Sequence, residues 1–298
     1  MNKYKGKKIE TILVVDDTKI NIKILVELLG NQYDIIVALD GKSAIEIVNI
    51  ELPDLILLDI MMPNMDGYEV CKQLKQNPQT QAIPVIFLTA KTDEDSIEKA
   101  YEVGGSDYVS KPFKPKELMA RVKTQLDLQS MIRNLEYISS HDTMTGILNR
   151  RKFFELAQAR FEFQQKDLFA VMIDIDNFKS INDIYGHHIG DIVIKRIAQM
   201  IQSMLPSQSI FGRLGGEEFA IVCNFESQAI LFELLEVIRN NIKTDSLAVE
   251  SIKINFTISS GIARYDDTLL TIDDLLNEAD KLLYKAKSTG RDKTIFKE

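Results

Sequence analysis

Cysteine and histidine are scarce in this sequence, with two cysteines and three histidines among 298 residues. Cys71 and Cys223 stand far apart in apolar surroundings. That excludes a disulfide framework and a paired-cysteine metal site, and it fits a reducing compartment. His187 and His188 are adjacent, but no second cluster of such ligands accompanies them, so a zinc site is not expected. No apolar run approaches the roughly 18 residues of a membrane span. The basic start, Lys3 to Lys8, leads into a run, Ile12 to Val15, that is too short for a signal peptide and ends at Asp16 and Asp17. Positive charge is also in short supply. A net charge of −8 disfavours a protein whose main task is to neutralise nucleic-acid phosphates or anionic lipid. Internal repeats and low-complexity segments are absent too. These absences predict a soluble, cytoplasmic protein with no nucleic-acid or membrane partner.

What is present is enough apolar material, 45% of residues, for two ordinary cores. From residue 11 to about 124, short apolar runs alternate with amphipathic stretches. The runs Ile12–Val15, Leu55–Leu58 and Val85–Leu88, with a shorter one at Tyr108–Val109, suit strands buried on both faces. Ile20–Leu29, Ala44–Ile50 and Tyr68–Leu74 suit crossover helices. The pattern predicts a doubly wound α/β domain with a parallel five-stranded sheet, whose sites form at the carboxyl ends of the strands.

Residues 116–140 lack glycine and proline and read as one long helix. Leu128, Met131, Leu135 and Ile138 take the three-and-four spacing of a coiled-coil seam. The pattern is short, and an ordinary amphipathic face packed on its own domain has the same spacing. Past residue 141 the order becomes α+β. A helix near Phe153–Gln165 precedes a strand, Leu168–Ile173. The acidic strand end at Asp174 is followed at once by a turn, and a long helix follows Gly190. Two strands, Ser209–Leu214 and Phe219–Cys223, flank Gly215-Gly216 as a hairpin. Another helix, a strand around Ile252–Ser259 and a helix opened by the capping box Thr271-Ile-Asp-Asp274 complete the domain. The expected divisions are residues 1–124, a helical linker 125–140 and residues 141–298.

In the first domain, parallel topology gathers Asp16, Asp17, Asp59, Thr89 and Lys111 at one sheet edge. Any one such carboxylate is by itself a helix cap or a solvated loop end. Three together repel one another unless a hard divalent cation joins them, and oxygen ligands are what Mg²⁺ prefers. With the cation and Lys111 offsetting charge, one carboxylate can attack a phosphoryl group, and Asp59 is the candidate. The residues Asp16-Asp17, Asp59-Ile-Met-Met-Pro63, Asp66-Gly67, Thr89-Ala90 and Lys111-Pro112 resemble the receiver domain of bacterial response regulators. The resemblance covers residues 9 to about 124. It implies that Asp59 is phosphorylated by a cognate histidine kinase, and that Asp16, Asp17, Asp59 and the Met61 carbonyl surround the metal. It further implies that Thr89 and Lys111 touch the phosphoryl oxygens and that Tyr108 is the aromatic switch. A half-buried strand aromatic is the other reading of Tyr108.

In the second domain a strand delivers Asp174-Ile-Asp176-Asn-Phe178-Lys179, and the hairpin adds Gly215-Gly216-Glu217-Glu218-Phe219. Glycines free of Cβ atoms let a nucleotide approach the backbone, and carboxylates on both sides suit metal-assisted phosphoryl transfer. Taken alone, the hairpin is equally an idle acidic tip. Residues 141 to about 294, however, resemble the GGDEF family of diguanylate cyclases. The resemblance is carried by His141-Asp-Thr-Met-Thr-Gly-Ile-Leu-Asn-Arg150, Asp174 to Asp183, Tyr185-Gly-His187, Gly190-Asp191, Arg213 to Phe219, Tyr284-Lys-Ala-Lys287 and Gly290-Arg291. It implies Mg²⁺, with Mn²⁺ an admissible substitute, on Asp174, the Ile175 carbonyl and Glu217. It implies guanine reading by Asn182 and Asp191, and a phosphate clamp of Lys287 and Arg291 helped by Lys179 and the Phe178 backbone. Glu218 falls near the attacking ribose hydroxyl. A helix-capping role is the alternative for Lys287. The family's reaction joins two GTP molecules across a homodimer. A nucleotide sensor without turnover and a phosphorylation-driven dimeriser remain the other classes. One departure stands out: Pro206 and Ser209 occupy the positions where many members carry the Arg and Asp of a product-binding element. Arg213 is left as a weak product contact.

Overall fold

The computed structural model describes residues 9–90, 94–249 and 252–297, so the basic start at Lys3 to Lys8 lies outside the described residues. The chain divides into two compact units between Asn134 and Leu135. In the first, β1 (Thr11–Val15), β2 (Asp34–Ala38), β3 (Leu55–Asp59), β4 (Val85–Thr89) and β5 (Asp107–Ser110) form a parallel sheet of order β2-β1-β3-β4-β5. Between them run α1 (Lys19–Leu29), α2 (Gly41–Glu51), α3 (Gly67–Gln76) and α4 (Glu94–Glu102), and α5 (Pro115–Ser140) follows. The strands read as continuous apolar runs because both faces are covered. Ile12, Val14, Leu55 and Leu57 pack with Leu25 and Leu29 of α1 and Leu118, Val122 and Leu126 of α5. Leu13, Val15, Ile56 and Leu58 pack with Val48, Cys71 and Leu74 of α2 and α3. β2 is the strand the apolar runs miss. It lies at the sheet edge and is mostly half-buried or exposed, so its pattern is weak.

Beyond Leu126, α5 offers little to the core. Leu128, Met131, Leu135 and Ile138 are 50%, 62%, 68% and 56% exposed. Arg133 fastens this stretch within the first unit by an ion pair of 2.8 Å to the buried Asp54.

The second unit is built on β6 (Leu148–Asn149), α6 (Arg150–Phe163), β7 (Leu168–Ile175), α7 (Phe178–Tyr185) and α8 (His187–Met204). The hairpin β8 (Ile210–Gly215) and β9 (Glu218–Asn224) follows, then α9 (Gln228–Thr244), β10 (Leu247–Val249) and β11 (Ile252–Ile254). β12 (Ile258–Arg264), α10 (Ile272–Ser288) and β13 (Thr294–Phe296) close the chain. The sheet order is β13-β12-β7-β9-β8-β6, with β7 antiparallel to both neighbours. Every residue of β7 is buried. Phe169, Val171 and Ile173 face α8 and α9, while Leu168, Ala170 and Met172 face α6 and α10. Burying each large apolar side chain contributes about 1.5–3 kcal/mol, so the strand that carries the site is among the most firmly held.

Two sequence expectations are corrected by the structure, the start of the long helix and the single strand near Ile252. The turn expected after the strand is present at Asp176 and Asn177, but α7 follows it at once, and α8 starts at His187, so that Gly190 lies inside it. The single strand read at Ile252–Ser259 is two: β11 pairs with β10, and β12 joins the main sheet beside β7. The capping box at Thr271 is present, each partner accepting the other's backbone N–H. Among the described residues, no helix is long and apolar enough to cross a membrane.

Candidate functional sites

At the carboxyl edge of the first sheet, β1 delivers Asp16 and Asp17, β3 delivers Asp59, β4 delivers Thr89, and Lys111 follows β5. Parallel strands end together, so residues far apart in sequence converge. Lys111 Nζ lies 2.8 Å from Asp16 Oδ2 and 2.7 Å from Asp59 Oδ2. One oxygen from each of Asp16, Asp17 and Asp59 lies within 4.8 Å of the others. Asp16 also accepts hydrogen bonds from the Thr18 N–H at 2.8 Å and from Asn21 Nδ2 at 3.0 Å. Asn21 is a partner the sequence did not single out. Burial pushes the Asp59 carboxyl up, with Lys111 opposing. Burial pulls Lys111 down, but its hydrogen bonds to Asp16 and Asp59 outweigh that and keep its ammonium above the ordinary lysine range. One ammonium does not offset three carboxylates, and the all-oxygen donor set fits a hard divalent cation. Met61 is exposed, and its N–H points at Asp59 Oδ1 from 3.4 Å. Thr89 is buried. Tyr108 is half-buried, edge-on to Tyr101 at 6.4 Å, with the Arg121 guanidinium 5.4 Å from its ring centroid.

The second site forms where β7 ends beside the β8–β9 hairpin. Asp174 stands opposite Glu218 in the antiparallel register, and Glu217 occupies the turn between. Gly216 has φ 52°, a left-handed conformation that costs glycine little. Lys287 of α10 reaches Asp174 Oδ2 at 2.8 Å, an interaction beyond simple capping of its own helix. Burial raises the Asp174 carboxyl to about 6, with Lys287 opposing and Glu217 and Glu218 adding to the rise. A carboxylate that gives up its proton reluctantly in isolation is one that a cation stabilises. Carboxylate oxygens of this kind are hard donors, suited to a divalent ion.

α7 starts from Asn177, which is left-handed at φ 53° and provides no side-chain cap. The start of α7 therefore has no side-chain cap at the positive end of the helix. The Phe178 side chain is buried, so its backbone is what borders this end, while Lys179 is exposed. Asn182 lies against Gly190, one residue before Asp191. A Cβ at Gly190 would stand 2.0 Å from Asn182 Oδ1. The missing side chain at Gly190 is thus what lets the Asn182 amide pack against α8.

Arg213 anchors the hairpin. It donates to the Gly216 carbonyl at 2.7 and 2.9 Å and to Asp142 Oδ1 at 3.1 Å. Thr145 holds the same Asp142 through its N–H and hydroxyl. The Asp142 carboxyl is lowered: burial raises it, but the hydrogen bonds from Thr145 and Arg213 prevail. Arg213 is therefore engaged within the domain, holding the hairpin turn to Asp142. The strip Ser207-Gln-Ser209 borders a cleft of about 490 Å³ lined also by Leu148, Leu156 and Phe163. Arg160 also lines it, but its guanidinium is bound to the Gln208 carbonyl and to Asn224.

Sequence reasoning passed over Asp176. It is buried and accepts from Thr257 Oγ1 at 2.7 Å, Ser259 Oγ at 2.7 Å and the Asp292 N–H at 3.0 Å. Its location at a strand end was legible, but its partners were not. Arg291 is exposed in the turn after α10, at φ 61°.

A parallel α/β domain with a carboxylate pocket, followed by an α+β domain with an acidic hairpin, is the architecture of a response regulator with a nucleotide cyclase-like output. A family model described as the diguanylate cyclase GGDEF domain matches residues 139–293, and one for the response regulator receiver domain matches residues 12–123. The chain belongs to the GGDEF diguanylate cyclase family and carries a receiver domain ahead of it. It is 30% identical over 298 residues to the response regulator PleD of Caulobacter vibrioides, covering 96% of this chain and 65% of that protein. The chain thus spans just under two thirds of that relative's length. Diguanylate cyclase A of Treponema denticola is 35% identical over 165 residues, 53% of this chain and 44% of that protein. The solved GGDEF domain of DgcB from Caulobacter crescentus, in complex with c-di-GMP, matches with TM-score 0.51 and 28% identity over 53% of this chain and 95% of that one.

The contact between Gly190 and Asn182 is testable. Gly190→Ala is expected to destabilise the second domain by about 1–3 kcal/mol in urea unfolding, as overpacking does. Most of that penalty should lift in an Asn182→Ala background, where the clashing amide is gone.

Proposed function

We propose that this chain is a phosphorylation-regulated diguanylate cyclase that condenses two GTP into cyclic di-GMP and two pyrophosphates. The observation that carries this reading is the strand end at Asp174, opposite Glu218 in register and ion-paired with Lys287 at 2.8 Å. It supplies hard oxygen donors and a cation at one point, as transfer of an anionic phosphoryl group requires. Asp174, the Ile175 carbonyl and Glu217 hold Mg²⁺ or Mn²⁺, which when bound offsets the charge of the phosphates. Lys287, Arg291, Lys179 and the N–H groups at Phe178 hold the phosphates themselves. Asn182 and Asp191 read the guanine edge, and adenine leaves their polar groups unpaired. Glu218 orients the ribose 3′-hydroxyl or accepts its proton. Each hydroxyl attacks the α-phosphate of the other nucleotide and expels pyrophosphate. With one site per domain, two copies of the chain must face each other. The exposed Leu128, Met131, Leu135 and Ile138 of α5 support a homodimer joined along that helix.

In the receiver, taken as residues 1–124 with 125–140 as linker, a cognate histidine kinase phosphorylates Asp59. Asp16, Asp17, Asp59 and the Met61 carbonyl surround Mg²⁺ there, and Thr89 and Lys111 contact the phosphoryl oxygens. Lys111 is shared between Asp16 and Asp59, so a phosphoryl group on Asp59 changes the charge it answers to. Tyr108 and α5 then carry the change toward the cyclase. GTP as substrate and a kinase as donor fit a cytoplasmic protein.

Incubation of the purified protein with Mg²⁺ and GTP, followed by chromatography of the nucleotides, is expected to yield cyclic di-GMP. Acetyl phosphate should raise the yield, and Asp59→Asn should remove that rise while sparing basal turnover. GTP bound but never converted would overturn the reading. Glu217→Gln and Asp174→Asn should each lower turnover by at least about a hundredfold, comparable to the loss of a preorganised electrostatic contact. Near-parental rates in both variants would remove them from the metal set. Pro206 and Ser209 cannot supply a guanidinium and a carboxylate to product, and Arg213 is engaged elsewhere. Cyclic di-GMP added to the assay should therefore not inhibit at submicromolar concentration.

A further inference from the structure

The turn after α10 is held far more firmly than a surface loop needs to be. Gly290, Arg291 and Asp292 are all left-handed, at φ 117°, 61° and 47°. Two consecutive non-glycine residues in that region persist only where the surroundings over-determine them. Those surroundings are polar, and at Asp176 and Ser259 they are buried. The Arg291 N–H donates to the Ala286 carbonyl at 3.0 Å, and the Asp292 N–H donates to Asp176 Oδ2 at 3.0 Å. The Asp292 carboxylate is gripped from α9 by Arg239 at 2.6 Å and Lys243 at 2.7 Å. Arg239 is itself locked by Glu236, with Nε to Oε1 at 2.9 Å and Nη2 to Oε2 at 2.8 Å. On the other side, Thr257 and Ser259 complete the shell of Asp176.

Every one of these bonds secures backbone or a neighbour of Arg291, and none engages its guanidinium. Among the described residues, the Arg291 side chain makes no ion pair or hydrogen bond, and it is exposed. Asp176 lies two residues beyond Asp174, so the same strand end sets both the proposed metal-binding carboxylate and the base of this turn. We propose that Asp176 and Arg239 are positioning residues that, acting through Asp292, aim Arg291 at the terminal phosphates of the nucleotide. The inference rests on the reading of Arg291 as a phosphate contact given above. It assigns to α9, which carries none of the proposed ligands, a part in triphosphate recognition.

The test compares two probes, α,β-methylene-GTP and GMP, titrated by calorimetry in Mg²⁺ against the full chain. Because small misplacements of a positioned group weaken its contact steeply, Arg239→Gln is expected to lower affinity for the triphosphate analogue about tenfold. It should leave GMP, which lacks the terminal phosphates, unchanged, and Asp176→Asn should act the same way. In an Arg291→Ala background the loss from Arg239→Gln should vanish, since no guanidinium remains to be aimed. Lys243→Gln removes the other grip on Asp292 from a half-exposed site. It should show the same selectivity, to a smaller degree, if Arg239→Gln fails to fold. Equal losses for both probes, a loss that persists undiminished without Arg291, or no loss at all would overturn the positioning role. If the parent protein binds neither probe and makes no cyclic di-GMP, the reading of the site itself falls, and this inference with it.

Discussion

In each half of the chain, a buried carboxylate at a strand end is met by one lysine that arrives from a later element. Lys111 bridges Asp16 and Asp59 in the first domain, and Lys287 reaches Asp174 in the second. Desolvation opposes the charged form of Asp59 and Asp174 alike, and in both the lysine opposes that rise. The rest of each site depends on this balance. A single ammonium leaves a cluster of acidic oxygens with charge to spare, which is the condition under which a divalent cation and a phosphoryl group can share a site.

The scaffold that allows this differs between the halves. In the parallel sheet, convergence comes from direction: all strands end at the same edge, which brings Asp16, Asp17, Asp59 and Lys111 together. In the second sheet, β7 runs antiparallel to both neighbours, and the site is assembled from a strand terminus and a hairpin turn. That arrangement goes with a left-handed Gly216, an Arg213 that ties the turn back to Asp142, and an α7 that starts without a side-chain cap. It also needs long-range anchors, of which Asp176 is the centre. The second site is accordingly the more demanding of the two, with more of its residues spent on holding others.

Periodic burial was legible from the sequence by itself. Runs such as Leu55–Leu58 and Val85–Leu88 announced strands covered on both faces, and the Thr271 capping box announced α10, because these signals lie within a few residues of one another. The acidic strand ends at Asp16, Asp17, Asp59 and Asp174 were legible for the same reason. What failed locally were weakly patterned pieces: the edge strand β2, the short α7 that no side chain caps, and the break between β11 and β12. Only the tertiary structure decided where Asp176 and Arg213 spend their hydrogen bonds and that Asn182 packs against Gly190. Asp176 finds Thr257, Ser259 and Asp292 at separations of 81, 83 and 116 residues, and Arg213 finds Asp142 at 71. Spacing along a chain encodes which face of an element is buried, but the partner of a polar group at such distances is fixed only when the sheet closes and its register is set.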